Sequence, residues 1–219
     1  MDRPNPWLSW AYVQDNWDDI AFRLVQHTSL TIQAILIALA IALPLAAVAH
    51  FAPRLAGTIL GTSSVFYTIP SLALFGILAP YTGIGRTTVL IGLVAYALLA
   101  LVRNILVGLQ GVDPDVVDAG RGLGYGRMRL LWSVELPNAL PSVIAGLRVA
   151  TVTTVALTTV GVVVGFGGLG QIMFRGFYRG YHAEIATAGL LCVLLALALD
   201  LLLLALGRVM TPWLRGTPA

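Results

Sequence analysis

The chain is 219 residues long, 58% hydrophobic and 11% charged, against about 25% charged in soluble domains. With a mean hydropathy of +0.88, its apolar residues exceed what one water-soluble core of this size hides, so lipid is the natural solvent for much of the surface. A cytosolic enzyme, a secreted disulfide scaffold and a disordered tail are excluded, and the net charge of +3 is too small and scattered for a nucleic-acid stripe.

Residues 1–27 hold Asp2, Asp15, Asp18 and Asp19 among Trp7, Trp10, Tyr12 and Trp17. That segment is too polar to cross a bilayer and suits an interfacial helix outside it. It lacks the basic start, short apolar core and cleavage site of a signal peptide, so the first span is expected to stay as an anchor. A span needs about 20 mostly apolar residues. Five such stretches follow: Thr28 to Ala49, Leu55 to Ala79, Thr87 to Leu109, Val149 to Phe174, and Ile185 to Gly207. The expected fold is therefore an all-α membrane protein of five transmembrane helices over 28–210, with a tail at 211–219.

The second stretch carries Ser64, Tyr67, Thr68 and Ser71 around Pro70, and the fourth carries Thr154 and Thr158. Hydroxyls inside spans are candidates for lining a solute pathway, and equally for bonding to their own helix backbone. Arg103 and Asn104 stand at the inner end of the third stretch, serving either a structural tie to the following loop or gating. Asp200 is the one acid inside a span, a functional-site candidate by default. Its place near the span end, with Arg208 eight residues on, favours interfacial solvation. Cys192 lies in an apolar run and reads as a buried small hydrophobe.

The one long polar insertion is Asp113 to Arg148. Asp113-Pro114 starts a helix, Asp capping free amides and Pro fitting the first helical position. The spacing predicts a helix over Pro114 to Leu123, a left-handed residue at Gly124, and a second helix over Gly126 to Glu135 closed by Pro137. Gly120 and Gly122 inside the first helix each cost about 1 kcal/mol relative to Ala. The cost points to close backbone approach, as in a helix slotted into a cleft of another protein; a plain solvated loop is the alternative. Placing this loop in the cytoplasm leaves eight Arg inside and five outside, in line with the positive-inside rule, with the amino terminus outside and the carboxyl terminus cytoplasmic.

All thirteen basic residues are Arg, so no phosphate loop of the G-x-x-x-x-G-K-[ST] type exists and ATP-driven work must come from a partner. Gly165 to Gly170 satisfies G-x-G-x-x-G, but a membrane-length run precedes it where a dinucleotide site needs a short strand. Helix packing and an external turn account for these glycines better. His27, His50 and His182 are separated by whole spans, and no nucleophile-elbow or zinc-protease pattern occurs.

Asp118-Ala119-Gly120, then Gly124, then Val134, Leu136 and Pro137, resembles the EAA loop of permease subunits in binding-protein-dependent ABC importers. Asp118 stands for the usual Glu of that loop and Gly120 for the usual second Ala. Tyr67-Thr68-Ile69-Pro70-Ser71-Leu72-Ala73-Leu74, Tyr96-Ala97-Leu98-Leu99, Arg103-Asn104, Gly111-Val112-Asp113-Pro114, Ala145-Gly146-Leu147-Arg148 and Gly167-Gly168-Leu169-Gly170 resemble the osmoprotectant branch, which imports glycine betaine, carnitine, choline and proline betaine. The resemblance covers roughly residues 20 to 210. It implies a type I permease fold with a coupling loop at 113–140 between helices 3 and 4, in which Asp118, Ala119, Gly120, Gly124, Leu136 and Pro137 engage an ATPase. It also implies a second permease subunit, identical or homologous, two cytoplasmic ABC ATPases carrying ATP and Mg, and an extracytoplasmic solute-binding protein. The expected place is the bacterial inner membrane. No catalytic residue, cofactor or metal site is expected in the chain itself. Another small solute, such as an amino acid or alkane sulfonate, stays open as cargo, as do a membrane enzyme or a scaffold.

Overall fold

The computed structural model describes residues 5–213, which form helices joined by short turns with no strand among them. The expected tail from 214 onward lies outside the described residues, as do Asp2 and Arg3. Helix α1 (Trp10–Asp15) is capped by the Ser9 side chain, which accepts from the Tyr12 amide, and α2 (Trp17–Phe51) follows after one residue. At 35 residues α2 is about 52 Å long, against a hydrocarbon core of about 30 Å. It therefore projects well beyond the bilayer, and it runs unbroken through positions 27 and 28.

The second expected span is not one helix. Helices α3 (Pro53–Thr68) and α4 (Ser71–Thr82) meet at 97°. Pro70 has no amide to continue the ladder, and its ring forces Ile69 into an extended conformation, φ −66° and ψ 126°. The Ile69 carbonyl freed by the break accepts the Tyr96 hydroxyl, and the helix restarts with the Leu74 amide on the Pro70 carbonyl at 2.9 Å. Counted with this bent pair, the described residues offer five spans by length and composition.

Helix α5 (Arg86–Gln110) is the central element and packs on α2, α3 and the later helices. From α2 it meets a stripe of Ala34, Ala38, Ala42 and Ala46, each with no exposure. Lipid tails are as apolar as any side chain here, so close van der Waals fit, more than hydrophobic transfer, holds such helices together, and small residues at four-residue spacing permit that fit.

After α5 comes a hairpin of α6 (Pro114–Gly122) and α7 (Arg127–Leu130). The second arm does not end at Pro137. It continues through a π-turn, Leu131–Glu135, into α8 (Leu136–Val160) and a 3-10 turn, Gly161–Val164. The π-turn absorbs the missing Pro137 amide: the Leu136 amide reaches back to the Leu131 carbonyl, and the Asn138 side chain donates to the Val134 carbonyl at 2.7 Å. Arg127 to Val164 is thus one 38-residue rod. The fourth span begins ahead of Val149 and stops at Gly165, short of Phe174. Arg148 looks span-ending in the sequence, but its guanidinium grips Asp200 of α10 (His182–Met210) through two bonds of 2.7 Å. Asp200 is accordingly one half of a bidentate ion pair between two spans, replacing the expected interfacial solvation.

Gly165 and Gly168 have φ of 80° and 53°, in the turn before α9 (Leu169–Arg179). A Cβ on Gly167 would lie 2.6 Å from the Val162 amide nitrogen, and one on Gly161 2.7 Å from the Phe166 carbonyl oxygen. The glycine motif is a tight turn between helices, as the sequence argument against a dinucleotide site requires.

Candidate functional site

Two regions gather the candidate residues. The first is the hairpin. The Asp113 side chain accepts from the Asp115 amide at 2.9 Å and Pro114 occupies the first helical position, so α6 starts as its sequence dictates. It ends in a Schellman motif: the Tyr125 amide bonds the Gly120 carbonyl at 3.2 Å, the Gly124 amide bonds the Arg121 carbonyl at 2.9 Å, and Gly124 has φ 79°. Gly120 is the buried residue of α6. A Cβ there would sit 2.7 Å from Leu130 Cδ1 and 3.5 Å from Val134 Cγ2. The close approach signalled by this glycine is made inside the hairpin, between its two arms. Asp118, Ala119 and Gly124 face outward, whereas Leu136 and Pro137 lie half-buried where the second arm enters α8. Asp118 pairs with Arg121 at 2.8 Å, both about two-thirds exposed, a surface contact of little energetic weight. The Arg129 guanidinium lies 4.2 Å over the Tyr125 ring.

Between the hairpin and the adjacent end of α2 lies a cavity of about 740 Å³ whose walls include His50, Asp118, Arg121, Arg127 and Glu135. His50 Nε2 stands 3.3 Å from the nearly buried Glu135 carboxylate. This contact joins the first span to the π-turn, and nothing in the linear sequence pairs two residues so far apart.

The second region lies beside the break in the second span. A cavity of about 270 Å³ there brings together Tyr67 and Thr154 with Tyr96, Arg103, Asn104 and Thr153. Tyr67 and Tyr96 meet edge to face, centroids 6.1 Å apart at 72°. The other hydroxyl candidates stay with their own helices. Ser64 donates to the Leu60 carbonyl, Thr68 to Val65 and Thr158 to Thr154, all at 2.8 Å, and Ser71 does not border the cavity. Asn104 donates to the Ala100 carbonyl at 2.8 Å and packs on α8, where a Cβ on Gly146 would come within 2.6 Å of Asn104 Cβ.

The far end of the molecule carries a charge cluster that the linear sequence does not announce. Arg175 binds Asp19 at 3.0 Å and the buried Glu184 at 3.1 Å, while Arg179 stands 3.6 Å from Glu184. Burial pulls the Arg175 guanidinium down, but its bond to Asp19 and the Glu184 charge hold it above its ordinary value. Burial pushes the nearby Tyr12 hydroxyl up. His27, fully buried, accepts from the Leu169 amide at 3.3 Å and meets the Val155 carbonyl at 3.0 Å, tying α2 to α8 and the turn before α9. Charges clustered near the ends of different spans were the available signal for the Arg175 group. For His27 there was none.

The sequence matches the family model described as binding-protein-dependent transport system inner membrane component over residues 34–216. It is 32% identical over 203 residues to the carnitine transport permease protein OpuCB of Listeria monocytogenes, covering 92% of this chain and 93% of that one. It is 34% identical over 206 residues to the osmoprotectant import permease protein OsmW of Salmonella typhimurium, covering 92% and 96%. Among solved structures, an inward-facing form of the MetNI methionine ABC transporter superposes with a TM-score of 0.80 at 25% identity, over 88% of this chain and 96% of that one. A crystal structure of an amino acid ABC transporter with histidines gives 0.74 at 18% identity, over 92% and 98%, a likeness of fold alone.

Proposed function

The chain belongs to the family of binding-protein-dependent transport system inner membrane components and is the permease subunit of an ABC importer, and from that premise we propose that its cargo is a compatible solute such as glycine betaine, carnitine, choline or proline betaine. The ATPase and the solute-binding protein are separate partners. The observation that carries the cargo reading is near-full-length similarity to permeases whose names specify carnitine and osmoprotectant transport.

Two copies, or this chain with a homologous one, enclose the pathway in the proposed assembly. Two ATPases, holding ATP and Mg, grip the hairpins on the cytoplasmic side, with the amino terminus outside and the carboxyl terminus inside. Asp118, Ala119 and Gly124 offer the outward surface to the ATPase, Gly120 keeps the two arms together, and Leu136 and Pro137 pass movement into α8. Closure of the ATPases on ATP turns the spans outward to receive solute from the binding protein, and hydrolysis resets them.

Uptake of labelled glycine betaine at high osmolarity, in a host without its own osmolyte importers and expressing the chain with its partner genes, tests this. ATP-dependent accumulation lost on omission of this gene alone is the expected result. No accumulation by a complex shown to be assembled in the membrane discards the osmoprotectant cargo. Amino acids are the second cargo class, favoured by the likeness to the methionine transporter, and labelled methionine in the same assay separates them.

A further inference from the structure

Arg103 lies in α5 seven residues before its end at Gln110, about 10 Å along the axis. It borders the cavity beside the broken span and has no ion-pair or hydrogen-bond partner among the described residues. Arg103 is exposed, so its charge meets water where it borders the cavity, and a span cation that faces a water-filled cavity marks a substrate path. Tyr96, Ala100 and Arg103 stand at i, i+4 and i+7 on α5, one face of two helical turns. The tyrosine and the arginine are thus about 10 Å apart along the axis, with a small alanine between them, and all three border the same space. Tyr67, held edge to face on Tyr96, supplies a second ring. Its volume of about 270 Å³ is at the small end of ligand pockets, about 300 to 1,000 Å³, and suits a solute of few heavy atoms.

We infer that this cavity is a way-station for a small zwitterion, with Arg103 facing its carboxylate and the Tyr67–Tyr96 pair facing its quaternary ammonium. A tyrosine ring attracts such a cation through its quadrupole, and a guanidinium takes a carboxylate by charge-assisted bonds. Choline, which has the ammonium and no carboxylate, engages the rings alone. The permease itself therefore holds glycine betaine more tightly than choline while admitting both, apart from any choice made by the binding protein. This inference rests on the import reading for the choice of solute, and its test reads binding without transport.

Thr153, half-exposed on the cavity wall, is replaced by cysteine in the assembled complex in nanodiscs, and its maleimide labelling rate is followed. The buried native Cys192 gives the background, measured in the parent complex. Glycine betaine is expected to slow labelling, and choline to need a higher concentration for the same effect. Arg103→Gln should raise the glycine betaine concentration needed by about tenfold or more, the scale of one lost charge-assisted contact, while Arg103→Lys keeps much of the protection. Tyr67→Leu should weaken protection where Tyr67→Phe does not. An Ala100→Cys complex repeats the measurement should the first variant assemble poorly. No protection by glycine betaine, equal protection by choline, or protection unchanged in Arg103→Gln would each overturn the inference. Uptake without protection refutes the way-station alone; protection without uptake refutes import and leaves the pocket standing.

Discussion

Gly124 and Gly120 sit four residues apart and serve different ends. Gly124 adopts φ 79° in open space, so its constraint is conformational, whereas Gly120 has ordinary helical backbone and a crowded neighbour. A Gly124→Val change should cost about 1–2 kcal/mol or more from the left-handed conformation alone. Uptake is expected to fall while the amount of permease in the membrane, read by immunoblot, stays constant. Gly120→Ala meets the far end of the flexible Leu130 side chain and gains up to about 1 kcal/mol of helix propensity, so uptake should remain near the parent level. Equal loss in both variants would show that the shape of the hairpin tip is unimportant beside its smallness. In the opposite cluster, Arg175→Ala leaves the buried Glu184 with Arg179 at 3.6 Å. The expected loss is about 1–3 kcal/mol in thermal unfolding, less than for a fully buried pair because Arg175 is a third exposed.

Among the elements, the first arm of the hairpin was the most legible in the sequence, because its signals are local: Asp113-Pro114 at the start and Gly124 at the stop act on backbone a few residues away. The spans were legible as apolar lengths but not as shapes. Leu55 to Ala79 reads as one run because hydropathy is continuous across Pro70, while the 97° break depends on where the freed Ile69 carbonyl finds a donor. That donor is Tyr96, on another helix. Tyr96→Phe should therefore destabilise the chain by about 1–3 kcal/mol, the cost of an orphaned buried acceptor, measurable as a lower unfolding temperature in detergent. Arg148 was misleading for a similar reason. A charge ends an apolar run in any linear count, and only the bidentate contact with Asp200, 52 residues away, keeps it inside the span. The two hydroxyl candidates that border the cavity, Tyr67 and Thr154, could not be told from the four that do not, since hydroxyl content is the same whether a side chain bonds its own helix or faces a cavity.

Over the whole molecule, α5 is the central member against which α8 packs, and glycines make the closest approaches between them. A Cβ on Gly146 would come within 2.6 Å of Asn104 Cβ, and one on Gly108 within 2.8 Å of Ser142 Cβ. Neither neighbour is the loose end of a long side chain, so Gly146→Leu must separate the helices or distort them. A loss of about 1–3 kcal/mol or more is expected, with the permease recovered at lower yield from membranes and released more readily as fragments by limited proteolysis.

The unbroken rod from Arg127 to Val164 acquires a mechanical meaning from the place of that crossing. Measured from Ser142, the arm toward the hairpin is about 22 Å long and the opposite arm about 33 Å, at 1.5 Å per residue. The far arm is not free to swing about that point: Arg148 is tied to Asp200, the Val155 carbonyl meets His27, and a Cβ on Gly161 would come within 2.8 Å of Val89 on α5. A movement of the hairpin would therefore reach the turn before α9 through these contacts together, along a helix that the π-turn carries past Pro137 and that runs on through Pro141.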